Sequence, residues 1–199
     1  MSIDLTIDGL LLAMADNGSR ISDYVIPGLG ADELREAEEK MESSFPEDLK
    51  QFLARFGNGF RETEKKADTE VMMDFMVLPF EAVVRFRSRY ANTIVLGGDL
   101  LDTRLKVTEY PLMTSGAEFI SFVWSEDSSA VVWKVNDYAS NSKVWTSLQR
   151  FLEYLIECWN RKVYWIDRDN DEIAGDYAAA MQLLLEFGRQ VKREKSDNP

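Results

Sequence analysis

The sequence predicts an α+β fold: a central antiparallel β-sheet packed by an N-terminal helix pair and by C-terminal helices. Three observations lead there. Apolar residues recur at helical spacing over 32–60, alternate with polar ones at period two late in the stretch 118–136, and return to helical spacing over 144–159. Strands gathered between two helical regions, rather than alternating with them, mark an α+β chain. A length of 199 residues at 45% hydrophobic content suits one domain, 1–199, with a core of its own.

Taken in order, residues 3–15 could form a short helix or a strand that caps the core, ended by the turn formers Asp16, Asn17, Gly18 and Ser19. A helix is predicted from Asp32, which can serve as N-cap; Glu33 and Glu36 suit its first turn, and Leu34, Ala37 and Met41 recur along one face. Pro46 fits the first position of a second helix, followed by Glu47 and Asp48 at the positive end of the dipole. Leu49, Phe52, Leu53 and Phe56 make its buried stripe, and Gly57, Asn58 and Gly59 stop it. Residues 61–70 read as a charged, exposed loop, and 71–78 as one strand ended by Pro79.

Residues 80–90 place Phe80, Val83 and Val84 on one side of an amphipathic helix, with Arg85, Arg87 and Arg89 as a solvated face or as partners of nearby carboxylates. Residues 103–109 read as a strand, Leu105 and Val107 facing one way, ended by Pro111. Next comes a hairpin with one face buried: 118–124 and 130–136 flank a polar turn, and Val131, Trp133 and Val135 alternate with Lys134 and Asn136. The helix carrying Val144, Leu148, Phe151, Leu152, Leu155, Ile156 and Trp159 starts between Ser142 and Ser147 and packs on the sheet. A short edge strand over 163–166 precedes a last helix over 172–192, with Met181, Leu184, Leu185 and Val191 inward and a frayed tail beyond.

Charge narrows the possible partners. Lys and Arg number 23 against 35 Asp and Glu, a formal net charge of -12, which repels nucleic-acid backbone and anionic lipid and favours a basic partner, or none. The single cysteine, Cys158, permits no intramolecular disulfide, consistent with the cytoplasm. Residues 9–15 are apolar, but Asp4 and Asp8 stand where a signal peptide carries Lys or Arg, and no apolar run approaches the roughly 20 residues of a membrane-spanning helix.

With no histidine in the chain, Ser-His-Asp and Cys-His catalysis and imidazole zinc sites are excluded. Cys158 reads as a buried, inert thiol. Asp167-Arg168-Asp169-Asn170-Asp171 begins like a calcium loop, yet Glu172 and Ala178 stand where that loop needs Gly and a bidentate Glu. A solvated helix N-terminus, capped by Asp169 with Glu172, is the plainer reading. Gly97-Gly98-Asp99 lacks the Lys-Ser/Thr pair of a phosphate loop and reads as a turn. Trp124, Trp133, Trp145 and Trp159 fall where the core is expected, leaving Trp165 as the tryptophan to examine for exposure. No cofactor and no metal site is expected.

The order helix, Phe45-Pro46-Glu47-Asp48-Leu49-Lys50, Phe52-Leu53, Gly57-Asn58-Gly59, antiparallel sheet, Ser147-Leu148-Gln149-Arg150-Phe151-Leu152 resembles the SUKH superfamily, which includes Smi/Knr-type glucan-synthesis regulators and bacterial immunity proteins. That family carries an acidic residue on its first helix, a Leu-Pro-x-Asp-Tyr-Lys hinge and an Asn-Gly-Gly stop; Glu38, residues 45–50 and residues 57–59 stand in those places. Its Gly-Gly-Asp appears only as Ser115-Gly116-Ala117-Glu118, and Leu148 replaces a Phe of its late helix motif. The likeness spans about 28–159 and leaves 161–199 as an extension.

The resemblance implies a non-catalytic, cytoplasmic binding protein, an immunity protein whose partner is a cognate toxin domain with a basic surface. A regulatory scaffold of the glucan-synthesis type is the alternative, followed by an enzyme working through carboxylates alone. For the partner surface, loop carboxylates beside the sheet are the candidates: Asp99, Asp102, Glu126 and Asp127.

Overall fold

A computed structural model describes residues 2–90, 108–115, 118–125, 128–136 and 139–196. Within them the helices are α1 (Ile3–Asp16), α2 (Ile21–Tyr24), α3 (Ala31–Met41), α4 (Glu47–Phe56), α5 (Phe80–Tyr90), α6 (Leu148–Asn160) and α7 (Tyr177–Ser196). The strands are β1 (Glu70–Met72), β2 (Phe75–Val77), β3 (Thr108–Thr114), β4 (Glu118–Ser125), β5 (Ser128–Asn136), β6 (Ala139–Trp145), β7 (Tyr164–Asp167) and β8 (Glu172–Gly175). Strands β1 to β6 form one antiparallel meander in sequence order, and β7–β8 is a separate hairpin. The fold is α+β, as the sequence predicts. None of the described helices is long and apolar enough to cross a membrane.

One core joins the sheet to α1, α4 and α6. The α4 stripe Leu49, Phe52, Leu53 and Phe56 is buried in full, as is most of α6. Ser147 caps α6 by accepting the Arg150 N–H on its Oγ at 3.1 Å, within the interval expected for the helix start. Trp159 donates its indole N–H to Val71 O at 3.2 Å, joining α6 to β1, and the Trp145 ring lies 4.6 Å from that of Phe151, tilted by 57°. The segment 3–15 proves to be a helix at the heart of this core: Ile3, Ile7, Leu10, Leu11 and Met14 are all buried, and α1 packs along α6.

Several elements differ from expectation for identifiable reasons. Helix α3 is capped at Gly30 rather than Asp32, because Glu33 reaches back and accepts the Gly30 N–H at 2.7 Å. Pro46 sits just outside α4, with an extended ψ of 151°. Residues 71–78 form a hairpin, not one strand: the chain reverses at Asp74, whose φ of 61° is a left-handed conformation that Asp tolerates better than most residues. The loop 61–69 is not wholly exposed either, since Ala67 and Asp68 are buried in a short 3-10 turn.

Strand β3 runs through Pro111 instead of ending there. Pro111 pairs with Ser121 of β4 at a register shift between Pro111 and Met113, and such an irregularity is where a sheet tolerates proline. The expected strand residues 103–107, with Leu105 and Val107, lie outside the described residues. The hairpin β4–β5 forms as predicted, but β4 is buried on both faces: Phe119, Ser121 and Val123 on one, Ile120, Phe122 and Trp124 on the other. Its residues Phe119, Ile120, Phe122 and Val123 are a nearly continuous apolar run, the pattern of a strand covered on both sides. On β5, Val132, paired with Phe122, belongs to the core; the side chains of Val131, Trp133 and Val135, expected on the buried face, lie outside the described ones.

Candidate functional site

The residues of the family-like motif come together in a single contact. Glu38, near the end of α3, accepts the Phe45 N–H on Oε1 at 2.7 Å, and the same oxygen lies 3.1 Å from Lys50 Nζ on α4. The Phe45 N–H holds the Glu38 carboxyl below the usual range, burial opposes it, and the Lys50 ammonium adds to the lowering. Phe45 is thereby held with its ring buried, edge-on to Tyr110 of β3 and Trp124 of β4 at 6.1 Å each. Acidic residue, hinge and lysine form one latch that fixes the helix pair to the sheet. Gly59, at the stop, has a φ of 71°.

Several groups suited to chemistry lie in the packed interior. Cys158 is fully buried; burial pushes its thiol up to about 11, against the Tyr154 and Tyr164 hydroxyls beside it. The Tyr154 hydroxyl donates to Ala180 O at 3.2 Å, tying α6 to α7. Glu70 is buried and its carboxyl is pushed up by burial, while the Ile173 N–H donates to it at 3.3 Å and opposes the rise. Burial also raises the Glu109 carboxyl, with the Ser121 hydroxyl opposing. Among the described residues no group of three or more Cys, Asp or Glu side chains is arranged to hold a metal ion.

The calcium-like segment is the turn of the β7–β8 hairpin, not a helix start. Asp167 Oδ1 accepts the Asp169 N–H at 3.0 Å and its Oδ2 accepts an Asn170 side-chain N–H at 2.8 Å, so this carboxylate closes its own turn. Its carboxyl is held low by Asn170 first and then by the Asp169 N–H. Asp171, at φ 52°, pairs with Lys65 at 2.7 Å. Trp165 on β7 is 43% exposed, whereas Trp124, Trp145 and Trp159 are buried.

The loop carboxylates expected to meet a partner, Asp99, Asp102, Glu126 and Asp127, lie outside the described residues, as does Gly97-Gly98-Asp99. What the described residues do offer is a groove of about 350 Å³ along α6, lined by Glu153, Ile156, Glu157 and Arg161 of α6 and by Phe187 of α7. On its other side Gly9 of α1 faces Ile156: a Cβ on Gly9 would stand 3.4 Å from Ile156 Cδ1. Leu5 and Leu12, 62% and 64% exposed, are seven residues apart and so share the edge of α1 that carries Gly9. Arg161 is held at the groove mouth by Glu157 at 2.8 Å and Glu186 at 2.9 Å.

This surface escaped the sequence reading for two reasons. Ile156 fits the inward stripe of α6 by spacing, yet it is only partly buried because α1 and α7 stand apart over it. In α7 the run Leu183-Leu184-Leu185 cannot be phased by apolarity alone: Ala180 and Leu183 are buried, while Met181 and Leu185, expected inward, are 41% and 52% exposed. The available signal was Gly9, a glycine in the middle of an apolar helical run, where close approach of another element is the usual reason for one. No protein-family model matches this chain, and no curated protein matches it.

Proposed function

We propose that this chain is a non-catalytic protein-binding domain of the SUKH kind, acting in the cytoplasm as an immunity protein that neutralises a cognate toxin domain by direct binding. The observation that carries this reading is the groove of α6: an apolar floor, Ile156 and Phe187, bordered by Glu153 and Glu157, on a chain with a net charge of -12. An apolar centre with a charged border is how protein interfaces are commonly built; Glu153 and Glu157 are paired there with Arg150 and Arg161, so it is the net charge of the whole chain, not the border, that favours a basic partner. The latch of Glu38, Phe45 and Lys50 supports the family, because it gives the positions shared with SUKH proteins one mechanical role.

On this reading the domain acts by occlusion. Apolar side chains of the toxin enter the groove, and the net negative charge steers a basic active-site face towards the chain; Asp99, Asp102, Glu126 and Asp127, outside the described residues, are the loop carboxylates proposed to meet that face. Co-expressing the chain with the product of the gene directly upstream tests it. The expected result is co-purification and rescue of growth, with an association rate that falls as salt is added. A neighbour that is not toxic, or one whose toxicity the chain leaves untouched, overturns the immunity reading. An association rate indifferent to salt removes the steering.

A further inference from the structure

The hairpin β7–β8 turns one face to the body and leaves the other open. Tyr164 and Ile173 are buried and Ile166 packs on the core, so alternation puts Trp165, Asp167, Glu172 and Ala174 on the opposite face. There Trp165 pairs with Ala174, and Asp167 with Glu172. Trp165 is 43% exposed, the one exposed tryptophan among the described side chains. A single exposed aliphatic residue is ordinary, but tryptophan carries a large apolar surface and is among the residues most enriched where protein partners bind.

The neighbours of Trp165 on that face indicate the kind of group that covers it. Asp167 and Glu172 stand directly opposite one another, an arrangement of like charges that costs a hairpin stability. No cation among the described residues neutralises them. Lys65 is taken up by Asp171 at 2.7 Å, and Arg168 lies against Gly18, a Cβ on which would be 3.7 Å from its Nη2. Glu172 is the diagonal neighbour of Trp165 across the hairpin, and Asp167 is two residues along the same strand, so both carboxylates are within reach of the indole. An exposed π face beside two uncompensated negative charges suits a cation on a long side chain, which lies on the indole while its charge meets the carboxylates. An apolar side chain placed there would strip water from both carboxylates, and an anion would be repelled. Arginine fits better than lysine, because its planar guanidinium both stacks on a ring and forks to a carboxylate.

We propose that the open face of β7–β8, Trp165 with Asp167 and Glu172, is a contact surface for a basic protein segment and seats one of its cationic side chains, arginine in preference to lysine. None of its residues lines the groove of α6, and it is tested without the upstream gene's product, so it stands or falls apart from the immunity reading. Hexa-arginine and hexa-lysine peptides are titrated into the nitrogen-15-labelled full chain at low ionic strength. The Trp165 indole N–H signal, identified by its absence from Trp165→Phe, reports the contact, and the Ala174 backbone N–H gives the affinity in every variant. Both signals should move saturably, with hexa-arginine the tighter binder. Trp165→Ala and Glu172→Gln should each weaken binding by at least about threefold, whereas Glu36→Gln, which removes an exposed carboxylate on α3, should change it by less than about twofold. Glu172→Lys should abolish binding and yet raise Tm, since it turns the like-charge pair into an opposite one; for a purely structural pair the two would fall together. An indole signal that stays still while signals elsewhere move overturns the proposal, as does an affinity unchanged by Trp165→Ala or a Tm lowered by Glu172→Lys. Equal or tighter binding of hexa-lysine overturns the preference for arginine.

Discussion

Replacing Glu38 with Ala removes the acceptor of the Phe45 N–H and the partner of Lys50 in one step. A hydrogen bond to a charged group contributes about 1.5–3 kcal/mol, and an ion pair this exposed adds at most about 1 kcal/mol. The expected loss is therefore about 2–3 kcal/mol, which for a domain of this size lowers Tm by about 4–12 °C. Glu38→Gln keeps an oxygen for the Phe45 N–H and should lose less. The carboxyl is held below its ordinary value of 4.5, so its contribution is fully present above that pH and disappears as pH falls through the lower, folded-state value. The gap in Tm between wild type and Glu38→Ala should thus be widest near neutral pH and close in acid. Thermal melts by circular dichroism over a pH series provide the assay. A Glu38→Ala protein melting within a degree of wild type at neutral pH, or a gap that stays constant into acid, would refute the latch.

Other consequences follow from local geometry. At Gly28 a Cβ would lie 2.2 Å from Ala54 O and 2.5 Å from Leu53 O, both backbone atoms, and Leu29 N–H donates to Leu53 O at 3.0 Å. Gly28→Ala should therefore cost about 3 kcal/mol or more and lower soluble yield; a wild-type Tm would contradict the close approach. Leu183→Ala, at a buried position, should cost about 2–5 kcal/mol in denaturant melts, whereas Leu185→Ala in dilute solution should stay within about 0.5 kcal/mol. Equal effects would mean that α7 is rotated from the position described. Cys158, with its thiol raised to about 11, should resist iodoacetamide in the native protein at mildly alkaline pH and react once the chain is unfolded; rapid native labelling would place it at the surface.

The parts of the fold legible in the sequence are those where one period dominates over several turns. Leu49, Phe52, Leu53 and Phe56 could face only one way on a helix, and the spacing from Leu148 to Trp159 located α6, with its start placed only between Ser142 and Ser147. Where the run is short and almost wholly apolar, no period exists to read: 71–78 hides a hairpin turn at Asp74, and Leu183-Leu184-Leu185 conceals which leucine faces inward. Pro111 misled because its tolerance depends on the register shift between β3 and β4, a tertiary fact. Asp169 and Glu172 suit a helix cap, yet the turn is closed by Asp167, since strands β7 and β8 pair on either side of it.

The candidate site was less accessible still, because charge is visible in a sequence whereas a groove is not. Acidic loop residues announce themselves as Asp and Glu; the space over Ile156 exists only because α1, whose helical character the sequence left open, runs beside α6. Glu38 shows the converse. Its place was recognisable from the family-like motif, and its role as the acceptor that fixes Phe45 is a matter of geometry.

Calorimetric titration of the purified product of the gene directly upstream into the wild-type chain and into Ile156→Glu, with folding of the variant checked by circular dichroism, tests the groove as the proposed neutralising surface most directly. The account predicts binding to the wild type and a loss of at least about tenfold, or about 1.4 kcal/mol, on placing a carboxylate at the apolar floor. Undiminished affinity in a folded Ile156→Glu protein, or no binding to the wild type, would contradict it.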